Sequence, residues 1–180
     1  RSRREGNRVP LVSLVGYTNA GKSSLFNALT KSDVFVEDKL FATLDPAQRR
    51  IVLPFEGAET PILELVLSDT VGFIRKLPDE LKNAFRATLE EIRGAKLLLH
   101  VLDASDPEIV QRKASVDLIL REMELGQLEV IVLLNKADMI SPERAEELHL
   151  AIGEGILVSA RTRMGLAELR EHIERMLLAR

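Results

Sequence analysis

The chain has no cysteine and no tryptophan, a single tyrosine, and aromatic residues at only 4% of its 180 positions. Without thiols there is neither a disulfide framework nor a thiolate metal site, and a cytoplasmic location is the expectation that fits. Charge of one sign is lacking too: 25 Lys and Arg against 28 Asp and Glu leave a net −3, which gives no global attraction for nucleic acid. No apolar run approaches the ~20 residues of a membrane-crossing helix, so no span is expected. Three histidines, His100, His149 and His172, are scattered without ligand spacing. His100 falls inside an apolar strand and is expected to be structural and hydrogen-bonded. Apolar residues at 46% and charged residues at 29% are those of a globular protein with one good core.

What is present is organised around Gly16-Tyr17-Thr18-Asn19-Ala20-Gly21-Lys22-Ser23. The apolar run before it, from Val9 to Val15, predicts a buried strand, and Ser24 to Thr30 after it has helical apolar spacing. Strand, Gly-x-x-x-x-Gly-Lys-Ser and helix in succession make a phosphate cradle. Glycines let the backbone close on an anion so that consecutive N–H groups point inward, and a helix opening at Gly21 adds its positive dipole end. Lys22 is expected to reach the terminal phosphates and the Ser23 hydroxyl to ligate Mg2+.

Downstream, residues 31–47 carry Phe35, Phe41 and Pro46 without periodicity, a connection long enough to be functional. Gln48 to Pro54 and Ile62 to Ser68 predict two strands joined by a short turn through Gly57, hence an antiparallel pair. Leu77, Leu81, Phe85, Leu89 and Ile92 mark a helix face that Gly94 closes. Leu97 to Leu102 and Val130 to Leu134 predict buried strands. The helix between them carries Ile109, Val116, Ile119, Leu120 and Met123 and is expected to end at Gly126. Ser141-Pro142-Glu143 opens a further helix, Gly155 to Val158 is a short strand, and Leu166, Leu169, Ile173 and Leu177 stripe the last helix. Apolar strands alternating with helices predict an α/β fold of the P-loop NTPase kind. It is a three-layer sandwich with a mostly parallel six-stranded sheet, one antiparallel edge strand and five helices.

Every motif falls just after a strand, at the end where such sheets bind ligands. In Asp69-x-x-Gly72 the carboxylate suits Mg2+ and the Gly72 N–H suits a terminal phosphate. Asn135-Lys136-x-Asp138 selects a base. The Asp138 carboxylate accepts two parallel hydrogen bonds, which guanine supplies from N1–H and its 2-amino group. Adenine has no such donors and would leave the acid unpaired. Asn135 is expected to bond the other edge of the base and Lys136 to lay its stem over the ring. Ser159-Ala160-Arg161 adds the Ala160 N–H as a partner for guanine O6. In this order the motifs describe a protein that binds GTP and GDP and hydrolyses GTP. Arg49, Arg50 and Arg75 are read as solvated surface arginines rather than an internal arginine finger.

The phosphate motif, Phe41-Ala42-Thr43-Leu44-Asp45-Pro46, Asp69-Thr70-Val71-Gly72-Phe73-Ile74 and Leu102-Asp103-Ala104-Ser105-Asp106-Pro107 together resemble the G domain of the HflX family. That family comprises ribosome-associated GTPases of the translation-factor-related class. The likeness runs from residue 9 to residue 180; Ser24, beside the nucleotide, and Ala47 stand where the family pattern would have threonine. It implies that residues 9–180 are the GTP-binding domain and residues 1–8 a linker tail from an N-terminal domain. The chain opens on Arg1 rather than Met, as a piece of a longer protein would. Linker is one reading of Arg1, Arg3, Arg4 and Arg8, and an RNA-contacting arm is the other.

The same resemblance implies that Thr43 is a third Mg2+ ligand closing over the terminal phosphate, with Phe41 and Ala42 beside the nucleotide. The partner it implies is the large ribosomal subunit, with rRNA contacted through the N-terminal domain. The task is splitting or rescuing stalled ribosomes, by a monomer in the cytoplasm. Phe73 stands where many small GTPases carry a glutamine that orients the attacking water. Intrinsic hydrolysis is therefore expected to be slow, with a partner completing the site; the other reading is that Phe73 packs a loop and another group positions the water. Asn19 is open between holding K+ beside the phosphates and shaping the loop. A GTP-loaded adaptor with incidental hydrolysis and an Obg-like ribosome-assembly GTPase are the alternative functions.

Overall fold

The computed structural model describes residues 9–17, 19–30, 47–53, 63–70, 86, 89–90 and 92–179. In chain order the elements are β1 (Leu11–Val15), α1 (Lys22–Thr30), β2 (Ala47–Leu53), β3 (Leu63–Asp69), β4 (Leu97–Asp103), α2 (Ile109–Glu122) and β5 (Glu129–Asn135). A 3-10 turn (Ala137–Met139), α3 (Pro142–Ile152), β6 (Ile156–Leu157) and α4 (Leu166–Leu178) complete them. The sheet order is β2-β3-β1-β4-β5-β6. β2 runs antiparallel to β3 over Ala47↔Asp69 to Leu53↔Leu63, and every other neighbouring pair is parallel. The six strands and the antiparallel edge are those the sequence predicts.

Four of the five expected helices are present among the described residues. The fifth, before Gly94, falls largely outside them, and its described residues 86, 89–90 and 92 are helical. Alternation along the strands sends side chains to two cores, because successive residues point to opposite faces. On one face Val12, Leu14, Leu97, Leu99 and Val101 pack under Leu25, Phe26 and Leu29 of α1 and Leu166, Leu169 and Ile173 of α4. On the other, Val15 and Leu98 meet Leu89, Ile92, Val116 and Leu120, while Leu102 and Leu134 meet Ile109 and Leu148. Helices on both faces of a mainly parallel sheet give the expected three layers.

Two local outcomes differ from the sequence reading. α2 stops before Gly126: Glu124 takes a left-handed φ of 59°. Its N–H donates to Arg121 O at 3.0 Å and the Leu125 N–H to Leu120 O at 2.8 Å. This is the paired closure that ends many helices, with the apolar contact between Leu125 and Leu120 beneath it. Burying Leu125 outweighs the strain of a non-glycine at that position. His100 is fully buried on β4, but neither ring nitrogen has a hydrogen-bond partner. Asp117 Oδ1 on α2 approaches its Nδ1 only to 3.9 Å, because that carboxylate is drawn to Lys113 Nζ at 2.7 Å. Among the described residues no helix is long and apolar enough to cross a membrane.

Candidate nucleotide-binding site

The motif residues gather at the carboxyl ends of β1, β3 and β5 and just past β6. Gly21 has φ 87°, and a Cβ there would lie 2.3 Å from Asn135 Nδ2. A Cβ on Gly16 would lie 2.4 Å from the Val101 carbonyl oxygen. Only glycine lets the loop pass this close to the Val101 carbonyl of β4 and to the Asn135 side chain at the end of β5. The Leu25 N–H donates to Gly21 O at 2.9 Å, which starts α1 so that its first free N–H groups open toward the loop.

Lys22, the first residue of α1, is 6% exposed. Its ammonium donates to Thr70 O at 3.0 Å and lies 3.6 Å from Asp69 Oδ1. Burial lowers the Lys22 pKa, and the Asp69 charge and hydrogen bond act against that shift. The Ser23 hydroxyl donates to Asp69 Oδ2 at 2.8 Å. Thr70, which the sequence reading passed over, donates from its hydroxyl to Leu14 O at 2.7 Å and pins the end of β3 to β1. Lys22, Ser23 and Asp69 are therefore brought together. The hydroxyl and carboxylate oxygens of Ser23 and Asp69 are hard donors side by side, a set that fits Mg2+.

Two residues of the base segment make contacts that their spacing in the sequence does not announce. Asn135 is 2% exposed, and its Nδ2 donates to Ala20 O at 3.0 Å and to Gly21 O at 3.5 Å. Through these bonds it braces the phosphate loop. Lys136 has a left-handed φ of 63°. Its ammonium donates to Asn19 O at 3.0 Å and to Asp103 Oδ2 at 2.9 Å, so the tip of the side chain is anchored to the loop and to β4. Half-burial alone would raise the Asp103 carboxyl; hydrogen bonds from the Ser105 hydroxyl, Lys136 and the Ser105 N–H, with the Lys136 charge, hold it below its ordinary value. Asp138 is exposed and accepts a hydrogen bond from Ser159 Oγ at 2.8 Å. That hydroxyl in turn accepts from the Thr162 N–H at 3.1 Å. Ser159 thus aims the Asp138 carboxylate through its buried side chain, where the sequence pointed only to the neighbouring backbone.

Tyr17 is 8% exposed, with the Arg112 guanidinium 5.0 Å from its ring centre. Arg112 also pairs with Asp106 and Glu108. Asn19 is exposed at a left-handed φ of 68°, while Ser24 and Ala160 are half-buried and Arg161 is exposed. Arg49 and Arg50 are surface residues, as read. Thr18, Phe41, Ala42, Thr43, Gly72 and Phe73 lie outside the described residues.

Residues 11–136 match the family model described as 50S ribosome-binding GTPase. The chain is 46% identical over 177 residues to the GTPase HflX of Caldanaerobacter subterraneus subsp. tengcongensis, covering 98% of this chain and 39% of that protein. It is 51% identical over 132 residues to the GTPase HflX of Escherichia coli strain K12, covering 73% of this chain and 30% of that one. The chain thus spans well under half the length of these curated relatives. Among solved structures, a GTP-binding protein from Sulfolobus solfataricus in complex with GDP superposes with a TM-score of 0.72 at 31% identity, over 93% of this chain and 52% of that one. The HflX resemblance carried by the motifs is borne out by these relatives, and the chain belongs to the 50S ribosome-binding GTPase family.

Proposed function

We propose that this chain is a switch that binds GTP, hydrolyses it with Mg2+, and works on the large ribosomal subunit in the cytoplasm. One arrangement supports the reading: Lys22, Ser23 and Asp69 converge beneath the glycine loop, while the exposed Asp138 carboxylate is aimed by Ser159 at the same end of the sheet. The relatives named GTPase HflX and the family description point the same way. In this reading residues 9–180 form the G domain and residues 1–8 its linker.

Phosphates of GTP sit on the loop from Gly16 to Ser23, with Ser24 behind it, and Lys22 moves from Thr70 O to offset their charge. Mg2+ on Ser23, Asp69 and Thr43 would supply the positive charge that a departing diphosphate needs. Asp138 selects guanine, the Ala160 N–H meets O6, and Arg161 lies at the rim. Gly72 donates to the terminal phosphate, and Phe73 leaves the attacking water to be positioned by a partner. Exposed Asn19 offers an amide oxygen beside the loop, to which we assign K+; equal turnover in K+ and Na+ buffers would remove that assignment.

Calorimetric titration tests the core of the proposal: GTP and GDP bind and ATP does not. Asp138→Asn should move the preference toward xanthine nucleotides, because the amide donates to the carbonyl that replaces the 2-amino group. Comparable affinity for adenine nucleotides would end the reading. Turnover measured with and without large ribosomal subunits tests the partner, and equal rates would refute it.

A further inference from the structure

We infer that Asp103 is a positioning residue of the nucleotide site, holding the ammonium of Lys136 against the phosphate loop and so coupling base recognition to the phosphate cradle. This role rests on the proposed function and extends it to a residue that none of the guanine-nucleotide motifs contains.

The support begins with two strained residues. Asn19 in the phosphate loop and Lys136 in the base segment are both left-handed, at φ 68° and 63°, in a region that costs a side-chain-bearing residue free energy. Something must hold each of them there. Lys136 Nζ donates to Asn19 O at 3.0 Å and thereby ties one strained residue to the other. A lysine ammonium on a four-carbon stem is a mobile, strongly hydrated charge, so a single carbonyl is a weak anchor for it. Asp103 Oδ2, at 2.9 Å, converts the contact into a charge-assisted one.

Asp103 is itself fixed. It is the last residue of β4, in register with Asn135 at the end of β5, and the Ala104 N–H donates to Asn135 O at 2.8 Å. Its Oδ1 accepts from the Ser105 N–H at 2.9 Å and from the Ser105 hydroxyl at 2.6 Å, which sets the carboxylate so that Oδ2 faces Lys136. The same hydrogen bonds offset its partial burial and hold the carboxyl below its ordinary range. The pair is shielded in part, with side chains 33% and 21% exposed, so it is not an open surface contact. A rigid acid, a bridging ammonium and two strained backbones thus form one unit spanning β4, the phosphate loop and the base segment.

The test is a double-mutant cycle on the purified chain, measuring GDP release, GTP affinity and single-turnover hydrolysis for wild type, Asp103→Ala, Asp103→Asn, Lys136→Met and the Asp103→Ala/Lys136→Met pair. Asp103→Ala should speed GDP release and weaken GTP affinity by roughly tenfold. Single-turnover hydrolysis of nucleotide already bound should stay near wild type. Asp103→Asn, which keeps an acceptor, should recover part of the loss. In the Lys136→Met background, removing Asp103 should add less than about twofold, because the carboxylate has nothing left to hold. Wild-type release by both Asp103 variants, or the same loss with and without the Lys136 ammonium, would overturn the role. A wild-type chain that binds no guanine nucleotide would instead overturn the proposed function, and that is visible before any variant is made.

Discussion

Gly21 shows what a single residue decides in this site. An alanine there meets a left-handed backbone and puts its Cβ 2.3 Å from Asn135 Nδ2, which must swing away and give up the carbonyls of Ala20 and Gly21. Gly21→Ala should therefore lower stability by about 2–3 kcal/mol. Thermal denaturation would measure this, and a loss of nucleotide affinity should accompany it. Combining it with Asn135→Ala should cost less than the two changes added together. Ser159→Ala makes a complementary case: Asp138 stays in place but loses the hydroxyl that orients it. The preference for GDP over ADP should fall by roughly tenfold, read by competition titration. The glycine spacing and the Asn-Lys-x-Asp pattern were legible in the sequence because each works within a few residues of chain. The inward turn of Asn135 and the anchoring of Lys136 on Asp103 were not. They join residues 115 and 33 positions apart, and no local spacing records such contacts.

Between the elements, the contact of β4 with α2 carries the clearest pH response. Burial lowers the His100 pKa to about 4 from an ordinary 6.5; the Asp117 charge acts upward and Lys113 downward. Between those limits the unfolded chain takes a proton that the folded chain refuses, so stability rises with pH across this window and is flat for this group above it. Acidification through the window should cost on the order of 3 kcal/mol from this residue. Urea unfolding midpoints from pH 7 to pH 4 would show the decline, and His100→Leu should flatten it. An unchanged slope in that variant would assign the acid response to other groups. The apolar run from Leu97 to Leu102 marks a buried strand, and a histidine within such a strand is ordinarily hydrogen-bonded. What the run could not show is that Lys113 takes the Asp117 carboxylate first. Two more buried hydroxyls, Ser13 and Ser68, pair in register on β1 and β3 and also lack partners, so this sheet has polar groups where the pattern predicts only apolar ones. The end of α2 carries the same lesson: Gly126 is the conventional stop, but burial of Leu125 brings the reversal forward to Glu124.

At the scale of the whole molecule, alternation of strands and helices was enough to place every described layer, because both faces of a parallel sheet must be covered. The order of the sheet has a further bearing on how copies of the chain meet. Among the described residues β6 is two residues long and β2 seven, each hydrogen-bonded to a neighbour on one side only. Brevity protects the first margin, since so short a strand offers almost no ladder to an incoming chain. The long margin depends on charge. Arg49 and Arg50 are exposed along it, beside a Val52 that is 51% exposed. Arg50 is paired with Glu64 at 2.7 Å, so the charge that repels the like-charged margin of another copy is chiefly that of Arg49, and neutral β-forming residues in place of both would make that strand a template for intermolecular pairing. Arg49→Thr/Arg50→Val should scatter light increasingly with concentration while the parent chain stays dispersed, which makes two exposed arginines on the rim of the sheet the guard against fibrous association.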